Sequence, residues 1–187
     1  YNINPFIYYD EFSTSNSTFY FDMIYINPTE VHNDYLIAKK IILNQRVDGL
    51  FFVGSPVTED IKFCLKKAFH SKKSIKKHIW EMFVIHEITH KVLNNKYNNF
   101  DQVTGEILSL HSTIYSNSHL GLAVMYSYLN YNKINPHRIA AMKYLNFLAE
   151  KTNNHKLASN PGLIKKIPIN KLKKLTMDHF NLIIKNY

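Results

Sequence analysis

Apolar residues and two histidines recur at helical spacing near the middle of the chain, at residues 75–93. They stand three and four residues apart, so they share one face of a helix. These positions are Ile75, Ile79, Met82, His86, His90 and Leu93. Ser74 can cap the start of this helix, and Asn94-Asn95 is expected to end it. No Pro or Gly interrupts the segment, so the pattern predicts one continuous helix.

A second helical pattern follows at residues 101–115. Its apolar stripe, at i, i+4, i+7 and i+11, consists of Val103, Ile107, Leu110 and Ile114. Asp101 stands where a helix N-cap is expected. Further helices are predicted at 120–129, at 136–150, which opens with Pro136, and at 171–185. The second half of the chain is therefore expected to be helical.

The first 60 residues show a different pattern, in which short apolar or aromatic runs end in turn residues. The two clearest runs cover residues 19–26 and 50–53. Runs of this length between turn signals are typical of strands. Helical spacing also occurs here, at 31–43 and at 59–69. The pattern predicts a small sheet with a few helices.

Length and composition suit one domain, with 187 residues of which 45% are hydrophobic. We predict the α+β class, with a strand-rich part over 1–73 and a mostly helical part over 74–187. Cys64 is the one cysteine, so no internal disulfide is expected. No apolar run is long enough to cross a membrane. Because the chain begins at Tyr1 rather than Met, we expect a fragment and predict no compartment.

The chain is basic, with a formal net charge of +9. Two clusters hold many of the lysines: Lys62, Lys66, Lys67, Lys72, Lys73, Lys76 and Lys77, and then Lys165, Lys166, Lys171, Lys173 and Lys174. A basic face can bind nucleic acid or an anionic membrane. Arginine, which is preferred for contacts with bases and phosphates, occurs only as Arg46 and Arg138. The composition therefore favours a solvated lysine face.

The first predicted helix carries the motif H-E-x-x-H at residues 86–90. Residues four apart on a helix have Cβ atoms about 5–6 Å apart, so His86 and His90 can bind one ion at about 2.0–2.1 Å. Glu87 lies about 100° round the helix from His86. It would sit beside such an ion, where it suits a general base. The alternative is a buried helix with two hydrogen-bonded core histidines and a solvated Glu87.

Catalytic zinc sites usually have three protein ligands and one open position, so a third ligand is expected from another element. Glu106 lies on the apolar stripe of the second helix, where a buried carboxylate needs a partner. Gly105 leaves room for a close approach of the two helices. Asp101 and His111 are rival ligands, and a surface position for Glu106 without any metal is a further alternative.

The motif, followed by a glutamate on a second helix, resembles the gluzincins, the thermolysin-like zinc peptidases. The resemblance covers about 75–117. It implies that His86, His90 and Glu106 bind zinc, and that Glu87 activates a zinc-bound water for the hydrolysis of peptide bonds. The chain would then be a zinc metalloendopeptidase acting on a peptide or protein substrate.

The sequence also departs from related motifs at three positions. Leu93 and Lys96 replace the glycine and the third histidine of the metzincin motif, which excludes that variant. Leu110 stands where thermolysin-like enzymes carry an acidic residue behind a zinc-bound histidine. The linker between His90 and Glu106 is short, which resembles the minimal, single-domain gluzincins.

The resemblance implies a single zincin-like catalytic domain over 1–187. In zincins a sheet strand lies above the active-site helix and pairs with extended substrate, and residues 50–53 are the candidate for that strand. The possible oxyanion donors are Tyr97, Tyr115, Tyr126, His111, His119 and His137. The alternatives are a non-catalytic binding protein on a zincin scaffold and a basic nucleic-acid-binding module. The intact Glu87 argues against the first, and no motif supports the second.

Overall fold

A computed structural model describes residues 24, 26–69, 75–97, 100–131 and 133–187. Within these ranges the fold is mostly helical. The elements in chain order are α1 (Pro28–Ile42), β1 (Leu50–Phe51), β2 (Ser55–Pro56), α2 (Glu59–Ala68), α3 (Ile75–Lys96), α4 (Gln102–Ser116), α5 (Ser118–Leu129), α6 (Pro136–Lys151), α7 (Lys156–Ser159), a 3-10 segment (Pro161–Lys166) and α8 (Ile169–Ile184). None of the described helices combines the length and apolar character that a membrane crossing needs.

The predicted α+β fold class, with its zincin-like sheet, is wrong. The only sheet in the described ranges is the antiparallel pair β1–β2, in which Leu50 pairs with Pro56 and Phe51 with Ser55. The candidate substrate strand at 50–53 ends at Phe51 because the next two residues have positive φ. A short apolar run between turn signals fits a buried turn as well as a strand, and here the turn forms.

Helices rather than strands fill most of the described residues before 70. Asn27 caps α1 by accepting a hydrogen bond from the Thr29 N–H, and Pro28 occupies the first helical position. Thr58 caps α2 in the same way, through the Ile61 N–H. Of the other predicted strand, at 19–26, residues 19–23 and 25 lie outside the described residues.

The motif helix α3 is longer than its sequence pattern predicts. Asn94 and Asn95 do not end it, and the helix continues to Lys96. The carbonyl of the buried Leu93 accepts a hydrogen bond from the Tyr97 N–H at 2.9 Å, which extends the helical bonding past both asparagines. The predicted cap at Ser74 lies outside the described residues.

Helix α4 occupies the centre of the fold and packs against α3, α5, α6 and α8. Asp101 caps it by accepting a hydrogen bond from the Thr104 N–H at 3.0 Å, as predicted. Asn117 ends α4 and also caps α5, whose apolar surface is buried as expected. A Cβ atom on Gly121 would lie 2.5 Å from the backbone of Ile114, so glycine permits the tight corner between the two helices. The glutamate helix is therefore held on several sides.

Candidate metal centre

Three side chains from two helices converge at one point. His86 and His90 on α3 bring their Nε2 atoms to 3.2 Å. On α4, Glu106 has Oε2 3.4 Å from Nε2 of His86 and Oε1 3.6 Å from Nε2 of His90. Donors that surround a tetrahedral ion at about 2.1 Å stand roughly 3.4 Å from one another. The three residues therefore form a group that can hold a metal ion.

The group is buried on one side and accessible on the other. His86 is 4% exposed and Glu106 is 6% exposed, whereas the His90 side chain is 24% exposed. A buried carboxylate is costly without a charged or hydrogen-bonding partner, and two imidazoles face this one. The accessible side at His90 fits a site that keeps one position open.

Gly105 allows the two helices to approach as closely as they do. A Cβ atom at this position would lie 3.1 Å from Nδ1 and 3.3 Å from Cε1 of His90. Such contacts are tighter than ordinary van der Waals packing, so any larger residue would press on the imidazole. The expectation that Gly105 makes room for α4 against α3 is confirmed.

The electrostatics of the group favour an ionised carboxylate. Burial raises the pKa of Glu106, but contacts with His86 and His90, and the charge of His137, outweigh burial and hold that pKa well below its ordinary value. For His90, burial lowers the pKa, whereas Glu106 and then Glu87 raise it, and the net shift is upward. Glu106 is therefore in the form that binds metal ions.

Glu87 lies beside the group and outside it. The converging donors belong to His86, His90 and Glu106. Glu87 is not one of them and is half-buried on the neighbouring face of α3. Its charge still reaches the site, because it contributes to the raised pKa of His90. This position suits the general base predicted from the sequence, a role that stays a prediction.

Two further side chains touch the carboxylate of Glu106. The buried Tyr128 on α5 donates a hydrogen bond from its hydroxyl to Oε2 at 3.3 Å. His137, in the first turn of α6, brings Nε2 to 3.3 Å from the same oxygen, and its side chain is 25% exposed. The sequence offered His137 only as one of six oxyanion donors. It gave no signal for Tyr128, which stands in a helix that is apolar nearly all round.

His86 lacks the usual hydrogen bond behind a metal-binding histidine. Its Nδ1 atom is buried and has no hydrogen-bond partner among the residues that the structure describes. Leu110, at the position where the resemblance to thermolysin-like enzymes predicts an acidic residue, is buried and offers no side-chain acceptor. The rings of His86 and Phe52 instead pack in a T-shaped arrangement, with centroids 5.9 Å apart and planes at 79°.

The rival ligands lie elsewhere. Asp101 caps α4 through the N–H and the hydroxyl of Thr104. His111 points its Nε2 atom at Nδ1 of His179 on α8, at 3.2 Å. Among the oxyanion candidates, Tyr126 donates its hydroxyl hydrogen bond to the carbonyl of Pro161. His137 is the candidate that the structure brings to the carboxylate.

Comparison of the chain with protein-family models, curated proteins and solved structures gives no match in any of the three. The case for a function therefore comes from the side chains. What they establish is a buried group of two imidazoles and one carboxylate with the spacing of metal ligands.

Proposed function

We propose that this chain is a zinc-dependent peptidase in which His86, His90 and Glu106 hold the zinc and Glu87 is the general base. The observation that carries the proposal is the convergence of three donors with separations of 3.2, 3.4 and 3.6 Å. Two histidines and one glutamate form a ligand set of catalytic zinc sites. The set resembles that of the gluzincins, on a helical fold that differs from theirs.

The donor chemistry supports zinc over other common ions. Calcium and magnesium prefer six or more oxygen ligands, and this group supplies two nitrogens and one carboxylate. Imidazole suits zinc, copper, iron and nickel, and three protein ligands with one open position are typical of catalytic zinc. Among these metals zinc performs hydrolysis without redox chemistry, which fits a peptidase.

The side chains divide the chemistry between them. Bound zinc would supply a Lewis acid that polarises the peptide carbonyl and lowers the pKa of a water to about 7. Glu87, beside the ligand group, takes a proton from the attacking water and passes it to the leaving amine. Tyr128 holds Oε2 of Glu106 through its hydroxyl. His137, at the accessible side, is available to donate to the developing oxyanion.

The decisive experiment compares the wild-type chain with Glu87→Gln. Gln has nearly the same shape but cannot accept the proton, and general-base catalysis contributes about 10²–10⁴-fold. We expect zinc content to stay stoichiometric while cleavage of a peptide pool falls by about that factor. Glu81→Gln is the matched control, because Glu81 lies on the same helix and pairs with His78 and Lys77, away from the ligands.

The outcomes separate the hypotheses. Equal cleavage by the wild type and Glu87→Gln would contradict the role of Glu87. Stoichiometric zinc without cleavage by either protein would favour a non-catalytic binding protein. A wild-type chain that takes up no stoichiometric zinc would overturn the metal centre itself.

A further inference from the structure

The turn after β1 contains three consecutive residues with left-handed backbone. Phe52 has φ 26°, Val53 has φ 54° and Gly54 has φ 72°. This region of backbone conformation suits glycine but is sterically unfavourable for other residues, and especially for a β-branched one such as Val53. Strain of this kind persists only where the surrounding structure enforces it, and it concentrates near functional sites.

A buried acid on α1 holds this turn. The Phe52 N–H donates a hydrogen bond to Oδ1 of Asp34 at 3.1 Å, across 18 residues of sequence. Asp34 is only 4% exposed, and its Oδ2 atom has no hydrogen-bond partner within the described ranges. Burial raises the pKa of Asp34 to about 8. A half-satisfied buried carboxyl is an expensive way to stabilise a core, so stability alone explains it poorly.

The turn places the ring of Phe52 close to one residue of the donor group and to a tyrosine that contacts another. Its centroid lies 5.0 Å from that of Phe83 and 5.9 Å from those of His86 and Tyr128. His86 is one of the converging donors. Tyr128 donates a hydrogen bond from its hydroxyl to Glu106, which is another of these donors. The Phe52 ring, which is 5% exposed, therefore packs directly against His86 and is linked to Glu106 through Tyr128.

We propose that Asp34 is a positioning residue for the metal centre: it fixes the backbone of Phe52 so that the ring sets the orientation of His86 and Tyr128. Metal-binding histidines are usually oriented by a hydrogen bond from their second ring nitrogen. Nδ1 of His86 has no such bond among the described residues. Aromatic packing takes the place of that bond. This inference rests on the proposed metal site.

The test measures zinc affinity in the full chain after removal of metal, by competition with a chromophoric chelator. We expect Asp34→Ala to weaken zinc binding by about 10–100-fold, the usual effect of losing an orienting partner. Asp34→Asn keeps an acceptor oxygen for the Phe52 N–H and should stay close to wild type. Cobalt absorption in the same variants reports the ligand geometry independently of any activity.

Two further variants guard against an effect of lost stability. Phe52→Leu keeps apolar bulk without a flat ring, and we expect zinc binding about tenfold weaker even if Asp34→Ala fails to fold. Leu172→Ala removes a fully buried side chain on α8 and should lower the midpoint of thermal unfolding. Because Leu172 lies on α8, outside the two helices that carry the converging donors, its substitution should leave the zinc affinity of the folded protein unchanged.

The results distinguish this inference from the metal site beneath it. Wild-type affinity in both Asp34→Ala and Phe52→Leu would overturn the positioning role and leave the site intact. Equal weakening by Leu172→Ala would also overturn it, because general destabilisation would then be the cause. No stoichiometric zinc in the wild type would remove the proposed function and this inference together.

Discussion

The pair His86–His90 and the pair His111–His179 each bring two ring nitrogens to 3.2 Å. Their surroundings differ. The carboxylate of Glu106 faces the first pair, and the His90 side of that pair is accessible. Aromatic rings enclose the second pair: Tyr144 lies 4.7 Å from His111, and Phe147 stacks on His179 at 4.0 Å. Within the described residues, the first pair belongs to the one group of three potential ligands that the structure contains.

The difference appears in the protonation of the rings. Burial lowers the pKa of His111 well below its ordinary value and lowers that of His179 to about 4. His90 has a raised pKa, because Glu106 outweighs the effect of burial. Close imidazoles alone therefore do not make a metal site. The carboxylate of Glu106 and the accessible side at His90 distinguish the two pairs.

Removal of the Glu106 carboxylate should have the largest effect. Full zinc sites hold their metal by about 10–16 kcal/mol, so one ligand of four accounts for roughly 3–4 kcal/mol. We expect Glu106→Ala to weaken zinc binding by about 10²–10³-fold. Chelator competition measures this directly. Zinc affinity equal to that of the wild type would mean that Glu106 is not a ligand.

The second pair should respond to acid instead of zinc. Burial lowers the folded-state pKa of both histidines below the unfolded value of about 6.5. With its folded pKa of about 4, His179 is neutral when folded and charged when unfolded between pH about 6.5 and 4, and His111 acts in the same direction. The unfolded state then binds more protons, and stability falls as pH falls. Over this pH range, the free energy of unfolding measured in urea should fall by about 2 kcal/mol less for His179→Gln than for the wild type. Its zinc affinity at neutral pH should be unchanged.

The pH series needs the wild type measured at every point, because Asp34 acts in the opposite direction. Its folded pKa of about 8 lies above its ordinary value, so the folded state keeps a proton that the unfolded state releases. That contribution to stability is full below pH about 4 and is lost as pH rises through about 8. Parallel pH profiles for the wild type and His179→Gln would show that the second pair does not titrate as its burial implies.

Gly105→Ala should have the smallest effect and should change affinity and stability in opposite directions. The new methyl group would lie 3.1 Å from Nδ1 of His90 and push its imidazole out of position, for an expected loss of roughly tenfold in zinc affinity. Alanine in a helix is favoured over glycine by about 0.5–1 kcal/mol, so the metal-free protein should not unfold more easily. Thermal unfolding of the metal-free variant and the metal-free wild type checks the expected stability. Normal zinc affinity in the variant would show that His90 accommodates the methyl group without leaving its position.

Sequence reasoning reached what local periodicity encodes. Spacing along α3 and α4 predicted both helices, and burial of a carboxylate on an apolar stripe pointed to Glu106. The contacts that sequence reasoning missed join residues far apart in the chain. Tyr128 reaches Glu106 across 22 residues, and Phe52 reaches Asp34 across 18. The prediction of a sheet was wrong for a related reason. Four apolar residues after a turn are compatible with a strand and with a buried turn, and the local pattern does not distinguish the two.

The corner between α4 and α5 has a consequence for how the chain assembles. At the end of α4, the Asn117 N–H donates a hydrogen bond to the carbonyl of Thr113. At the start of α5, the side-chain oxygen of Asn117 accepts a hydrogen bond from the Leu120 N–H. Gly121 then lies directly against Ile114. These contacts span only a few residues of sequence, so little loop-closure entropy opposes them. The helix that carries the central carboxylate can thus acquire its direction from its nearest neighbour in the chain, before any distant segment has arrived.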